Sequence, residues 1–126
     1  MPLVRIALRK GKPADFGKRI GEAVYRSMAE TINVPPRDNF QIITEHDENS
    51  LIYDSEYLGI SRSDGIVVIQ VTLSEGRSVE LKQALFRSIA ARLRDELGVR
   101  REDVFVNLVE VRKENWSFGN GIAQYV

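Results

Sequence analysis

The sequence predicts an α+β fold. Two β-α-β repeats, related by a pseudo-twofold axis, form a four-stranded mixed sheet with two helices on one face. Three observations carry this reading. The chain repeats itself at a spacing of 65 residues. Each copy holds one apolar stripe of helical period between two short β-rich segments. The length of 126 residues suits a single domain.

The repeat needs no gap. At that offset Gly11 meets Gly76, Val34 meets Val99, Asp38 meets Asp103 and Phe40 meets Phe105. Similar residues fill the positions between them, among them Val4/Ile69, Ile6/Val71, Phe16/Leu81, Ile20/Leu85, Val24/Ile89, Met28/Leu93 and Ile32/Leu97. The boundaries are residues 1–45 for the first copy, 46–65 for the connection, 66–113 for the second copy and 114–126 for the tail.

The elements follow in order. Leu3 to Leu8 is a short apolar strand, and a polar turn with Gly11 ends it. Phe16, Ile20, Val24, Met28 and Ile32 recur every fourth residue and make one face of an amphipathic helix. Asn33 tolerates the left-handed conformation that ends helices, and Pro35-Pro36 forbids further helix. Phe40 to Ile43 is the closing strand. The second copy runs in parallel: strand Ile66 to Leu73, turn at Gly76, helical stripe Leu81, Leu85, Ile89, Leu93 and Leu97, terminator Gly98, strand Val104 to Val109. Each unit makes its own strands parallel with a right-handed crossover. Edge-to-edge joining about a pseudo-twofold sets the two first strands antiparallel. The sheet then keeps one bare face, which argues for association of copies. The tail, rich in Gly and aromatics, suits a hairpin or a subunit contact.

Composition narrows the chemistry. There is no cysteine, so disulfides, zinc–thiolate sites and cysteine nucleophiles are excluded, and one histidine, His46, cannot build a multi-histidine metal site. Lys+Arg and Asp+Glu balance at 18 each, without the basic excess of a general nucleic-acid binder. No apolar run reaches the ~20 residues of a membrane span. The amino end lacks a signal-peptide pattern, and the expectation is a cytoplasmic protein. Catalysis is left to Arg, Asp, Glu, Tyr, Lys or the amine at the start of the chain.

The topology places the start of the first strand beside the finish of the third. Pro2 stands at one and Arg77 follows the other, near the amino end of the second helix. An arginine there offers paired donors to a carboxylate, in a favourable helix field; the alternative is a solvated first-turn arginine. Removal of Met1 would leave Pro2 a secondary amine. Chain-terminal amines titrate near ~7.7–8.0, and a neighbouring cation lowers that, so this one would suit acid–base work near neutrality. If Met1 stays, Pro2 carries an amide and no such chemistry exists. Asp38, before a strand, either holds a water, caps a turn or pairs with Arg37. Its counterpart Asp103 favours a structural role. His46 reads as a surface residue and Arg62 with Asp64 as a local ion pair. Trp116 and Phe118 are core, interface or pocket-wall residues.

Pro2, the run Val34-Pro35-Pro36-Arg37-Asp38, Gly59-Ile60-x-Arg62-Ser63-Asp64, Arg77, and the tail Trp116-Ser117-Phe118-Gly119-x-Gly121-x-Ala123-Gln124 together resemble the tautomerase superfamily. The branch they are most similar to is that of malonate semialdehyde decarboxylase. The resemblance implies a homotrimer of this fold and catalysis by Pro2. It implies Asp38 on water, Arg77 on the substrate carboxylate, and Trp116 with Phe118 as an apolar wall. It implies no metal or organic cofactor, and a small anionic oxo-acid substrate that loses carbon dioxide, with hydratase or tautomerase side activity. The branch pattern carries two arginines, one residue apart, after the second-copy strand. Here Ser74-Glu75-Gly76-Arg77 supplies one, in a loop one residue longer. Three readings remain open at this point: the decarboxylase, a keto–enol tautomerase, and a non-catalytic binding protein that is either a trimer or an unrelated ferredoxin-like module.

Overall fold

The computed structural model describes residues 2–126. Four strands, β1 (Leu3–Arg9), β2 (Phe40–His46), β3 (Val67–Ser74) and β4 (Val104–Val111), form one sheet in the order β2-β1-β3-β4. Helix α1 (Phe16–Ile32) crosses from β1 to β2 and α2 (Val79–Leu97) from β3 to β4. Both β-α-β pairs are parallel, and β1 meets β3 antiparallel with Ile6 opposite Ile69. The mixed sheet with both helices on one face is thus as the repeat requires. Strands β1, β2 and β4 run one to three residues beyond the expected ends, and β3 starts one residue later and ends one later.

The core follows from alternation. Val4, Ile6 and Leu8 of β1 and Val67, Ile69, Val71 and Leu73 of β3 point to the helices and are buried. They meet Ile20, Val24 and Met28 of α1 and Leu85, Ile89 and Leu93 of α2, each fully buried. Burial of each such side chain contributes about 1.5–3 kcal/mol. The helices also join directly. Ser88 donates to Ser27 at 2.9 Å, and Arg92 bridges Glu30 of α1 and Glu96 of α2, with Arg26 on Glu96 as well. Both helices end in a left-handed residue, Asn33 (φ 56°) and Gly98 (φ 69°).

The opposite sheet face is bare. Phe40 and Ile42 of β2 and Phe105 and Val109 of β4 stay between 38% and 51% exposed there. No helix of the described residues is long and apolar enough to cross a membrane.

The tail forms no hairpin. It makes a 3-10 turn at Lys113–Asn115 and then folds back on itself. Gln124 fixes that loop by accepting from Phe118 N at 2.9 Å and donating to Gly119 O at 2.8 Å. The internal repeat extends into it. Trp116 Nε1 donates to Ser74 Oγ at 3.0 Å, and at the other end of the sheet Arg9 donates to Leu51 O at 2.8 and 3.1 Å. Ser74 and Arg9 differ by the repeat offset, and so do Trp116 and Leu51. The tail is therefore to the second copy what the connection is to the first.

Candidate active site

The strand order brings four chain segments to one end of the sheet: the residue before β1, the turn before β2, the exit from β3 and the tail after β4. Pro2 is buried there, preceding Leu3, which faces Phe40 on one side and Thr72 on the other. A cleft of about 220 Å³ opens beside it, lined by Pro2, Leu3, Phe40, Trp116, Ser117 and Phe118. Trp116 and Phe118 stack at 5.3 Å, and the Tyr125 ring meets Phe118 edge-on at 5.1 Å. Trp116 and Phe118 both line this cleft.

Asp38 is placed by its turn. Pro35 and Pro36 stiffen the approach, Arg37 turns the backbone left-handed (φ 71°), and Asp38 N donates to Pro35 O at 3.2 Å. The Tyr25 hydroxyl of α1 ties the same carbonyl down at 2.9 Å. Asp38 is 5% exposed. Burial holds its carboxyl above the usual acid range, against the pull of the positive charges at the chain's amino end and on Arg77.

The counterpart Asp103 behaves otherwise. It is 2% exposed and accepts from Ser63 N at 2.7 Å and Ser63 Oγ at 2.6 Å. The two halves keep the same acid for different ends: one fastens the connection, the other stands in the field of Arg77. Asp38 keeps the turn contact of its own backbone N–H on Pro35 O, and its carboxyl lies in a different setting from that of Asp103.

Arg77 is half-buried and donates from Nη1 to Ser74 O at 3.0 Å, which steadies its guanidinium near the exit of β3. Ser74 is buried, and its hydroxyl accepts from Trp116 Nε1 at 3.0 Å. It anchors the wall. Glu75 is exposed, its N–H on Val111 O at 2.9 Å.

Tyr125 was not singled out by the sequence reading. Its hydroxyl is pushed to a higher pKa by burial and then by the Asp38 charge, with Arg77 acting the other way. It therefore shares one electrostatic neighbourhood with both. Left-handed Gly119 (φ 145°), Asn120 (φ 61°) and Gly121 (φ 68°) turn the tail back to deliver it. The glycine spacing after Phe118 was the available signal.

One further expectation changes. Arg62 and Asp64 do not pair: Asp64 takes Arg9 at 3.5 Å and the Tyr53 hydroxyl at 2.7 Å, while Arg62 donates to backbone carbonyls. His46 lies partly exposed at the end of β2, bonded to Thr44 at 2.9 Å and Ser50 at 3.2 Å. Among the described residues no group of three or more His, Cys, Asp or Glu could hold a metal ion.

Comparison with known proteins agrees with this geometry. One family model described as tautomerase enzyme matches residues 38–119, and a second of the same description matches residues 2–61. The chain belongs to the tautomerase family. A Bacillus subtilis (strain 168) relative, described as the probable tautomerase YusQ, is 44% identical over 126 residues, covering 100% of this chain and 99% of that protein. Among solved structures, a malonate semialdehyde decarboxylase inhibited by 3-bromopropiolate superposes with a TM-score of 0.91. It is 38% identical and covers 98% of this chain and 93% of its own. A second malonate semialdehyde decarboxylase, solved as wild type, mutant and inactivated enzyme, also gives 0.91 at 28% identity, with 98% and 95% covered. This tautomerase-family chain thus shares its whole length with enzymes of that fold.

Proposed function

We propose that the chain is a cofactor-independent decarboxylase of a small 3-oxo acid of the malonate semialdehyde type, with weaker hydratase or tautomerase activity. In this reading Met1 is removed and the Pro2 amine, cationic at neutral pH, hydrogen-bonds or protonates the substrate carbonyl. Arg77 grips the carboxylate. The bond between that carboxyl carbon and the neighbouring methylene breaks, its electron pair flows toward the polarised carbonyl, and carbon dioxide leaves. The enol returns to the aldehyde by taking a proton at the former methylene carbon. Trp116 and Phe118 form the apolar wall that strengthens the charge interactions inside. Asp38 positions or activates a water. The bare sheet face supports a homotrimer as the working form.

The observation that carries this reading is Asp38. A proton shuttle on the Pro2 amine alone has no need of a second buried acid, yet the fold holds one whose ionisation burial opposes, in the field of Arg77. The second reading, a keto–enol tautomerase acting on a 2-oxo acid, is favoured by Ser74. This residue leaves Arg77 as the cation of its loop, and the name of the Bacillus relative points the same way.

The test follows two reactions, malonate semialdehyde decarboxylation and enol-pyruvate ketonisation, in the parent, Pro2→Ala and Arg77→Ala. The expected result is decarboxylation in the parent and a loss of at least about 100-fold in each variant. Ketonisation alone would select the tautomerase. An intact Met1 in amino-terminal mass spectrometry of active-site-competent protein, or full activity in Pro2→Ala, would overturn both.

A further inference from the structure

The duplication makes two clefts. At the far end of the sheet lies a second one, of about 340 Å³, lined by Tyr53, Asp54, Tyr57, Arg62, Val68 and Phe105, with Ile52 beside them. Its walls stand at the repeat offset from those of the first. Val68 takes the place of Leu3, Phe105 that of Phe40, Ile52 that of Ser117 and Tyr53 that of Phe118. The reacting groups are gone. Pro2 corresponds to Val67, a mid-chain residue within β3, and Asp38 to Asp103, whose oxygens are taken by Ser63. What survives is a binding shape without an amine or an available acid.

Arg62 gives that shape a sign. Its Nη1 donates to the carbonyls of Asp54, Tyr57 and Ile60 at 3.2, 3.0 and 3.4 Å, so the guanidinium is held in place by neutral groups. Among the described residues no carboxylate lies within ion-pair distance of it, and its Nε and Nη2 make no hydrogen bond. The nearby acids are occupied. Asp54 accepts two backbone N–H groups at 2.8 Å, and Asp64 accepts from Tyr53 and Arg9. A pre-positioned guanidinium with no ion-pair partner among the described residues, in a cleft with aromatic walls and with the Asp54 carboxylate already held by backbone N–H groups, fits an amphipathic anion.

We propose that this second cleft binds a small carboxylate with an aromatic or branched apolar body. The body lies among Tyr53, Tyr57 and Phe105, and the carboxylate sits on the outer edge of Arg62. An assembly that keeps the pseudo-twofold treats both ends of the sheet alike. To that extent access to the second cleft rests on the first being open to substrate, and the experiment separates the two.

Phenylacetate is the probe, with neutral phenylacetamide as control, followed by calorimetry and by backbone amide shifts of the full chain. Saturable phenylacetate binding that shifts Tyr53, Tyr57 and Phe105 is expected, at least about tenfold tighter than phenylacetamide. Arg62→Gln should weaken it by about tenfold. Because Arg62 also holds its loop, Tyr57→Glu serves as a second variant. Tyr57 is 66% exposed, so the new carboxylate leaves the fold intact, repels the probe and leaves turnover at the Pro2 cleft unchanged. Arg77→Ala should retain second-cleft binding. Equal affinity for the amide, shifts confined to Trp116 and Phe118, loss of binding in Arg77→Ala, or no binding because a second copy covers Ile52 and Tyr57 would each overturn the proposal.

Discussion

A carboxylate whose ionisation is opposed by its surroundings is a local cost kept for a reason, and Asp38 is such a group. Its raised pKa means that the folded chain holds this proton more tightly than the unfolded chain does. The stability it contributes is therefore full below the ordinary value of 3.8 and is lost as pH rises through the higher folded value. Asp38→Asn stays neutral at every pH. Its stability relative to the parent should be greater at pH 8 than at pH 4 in urea unfolding, while decarboxylation falls by about 100-fold. A relative stability that grows toward acid would contradict the burial argument. Ketonisation should suffer less than decarboxylation in the same variant, and equal losses would remove Asp38 from water chemistry. Tyr125 gives a second residue-scale test. Tyr125→Phe keeps the edge-on contact with Phe118 and removes the hydroxyl that shares the field of Asp38 and Arg77. A loss of about tenfold in kcat/KM with unchanged Tm is expected if that hydroxyl meets the substrate. Asp38 could be picked out of the sequence by its proline run. Its environment could not, because the matching Asp103 disguises how differently Ser63 and Arg77 dress the two acids.

The helices and strands are the legible part, and the reason is physical. The stripes Phe16 to Ile32 and Leu81 to Leu97 share one period, one offset and one kind of terminator, so each copy vouches for the other. Close approaches between elements leave no such trace. Gly21 of α1 is buried against Gln41 of β2, whose Nε2 donates to the Gly21 carbonyl at 2.8 Å. A Cβ at residue 21 would run into the Gln41 amide oxygen. Glycine inside a helix ordinarily costs about 1 kcal/mol against alanine, so Gly21→Ala would stabilise an open site. Here that gain should be cancelled, leaving Gly21→Ala within about 0.5 kcal/mol of the parent, as the Gln41 amide swings away and its hydrogen bond is lost. In a Gln41→Ala background Gly21→Ala should recover the gain of about 1 kcal/mol. Chemical denaturation of the two single variants and the double variant checks this, and additive effects would show that the two residues do not meet. The path of the tail left no such trace for the opposite reason. It has no hydrophobic period, and its shape is set by Gln124 bonds, left-handed turn residues and the Trp116–Ser74 anchor.

At the scale of the molecule, the pseudo-twofold explains both what is built and what is left uncovered. One face of the sheet buries its alternate residues under α1 and α2; the other leaves Phe40, Ile42, Phe105 and Val109 partly exposed, with the tail beside Phe40 and the connection beside Phe105. A two-layer fold of this size cannot hide that face alone, and exposed apolar sheet surface of this extent favours a partner. A second copy is the economical partner because the two halves are alike: a face that fits one half of a neighbour nearly fits the other, and repeated contacts of that kind close into a ring. Ile42 sits mid-strand on this face, 40% exposed, away from Pro2 and from the second cleft. Ile42→Lys should place a charge in the contact without touching the core. If the parent forms the proposed trimer, light scattering should report a monomer for the variant, with the helical circular dichroism unchanged. If the parent is itself monomeric, the bare face has another partner. If Ile42→Lys remains trimeric, the contact lies at the strand edges rather than across the face. A monomeric variant that still turns over malonate semialdehyde would place every group needed for catalysis within one chain.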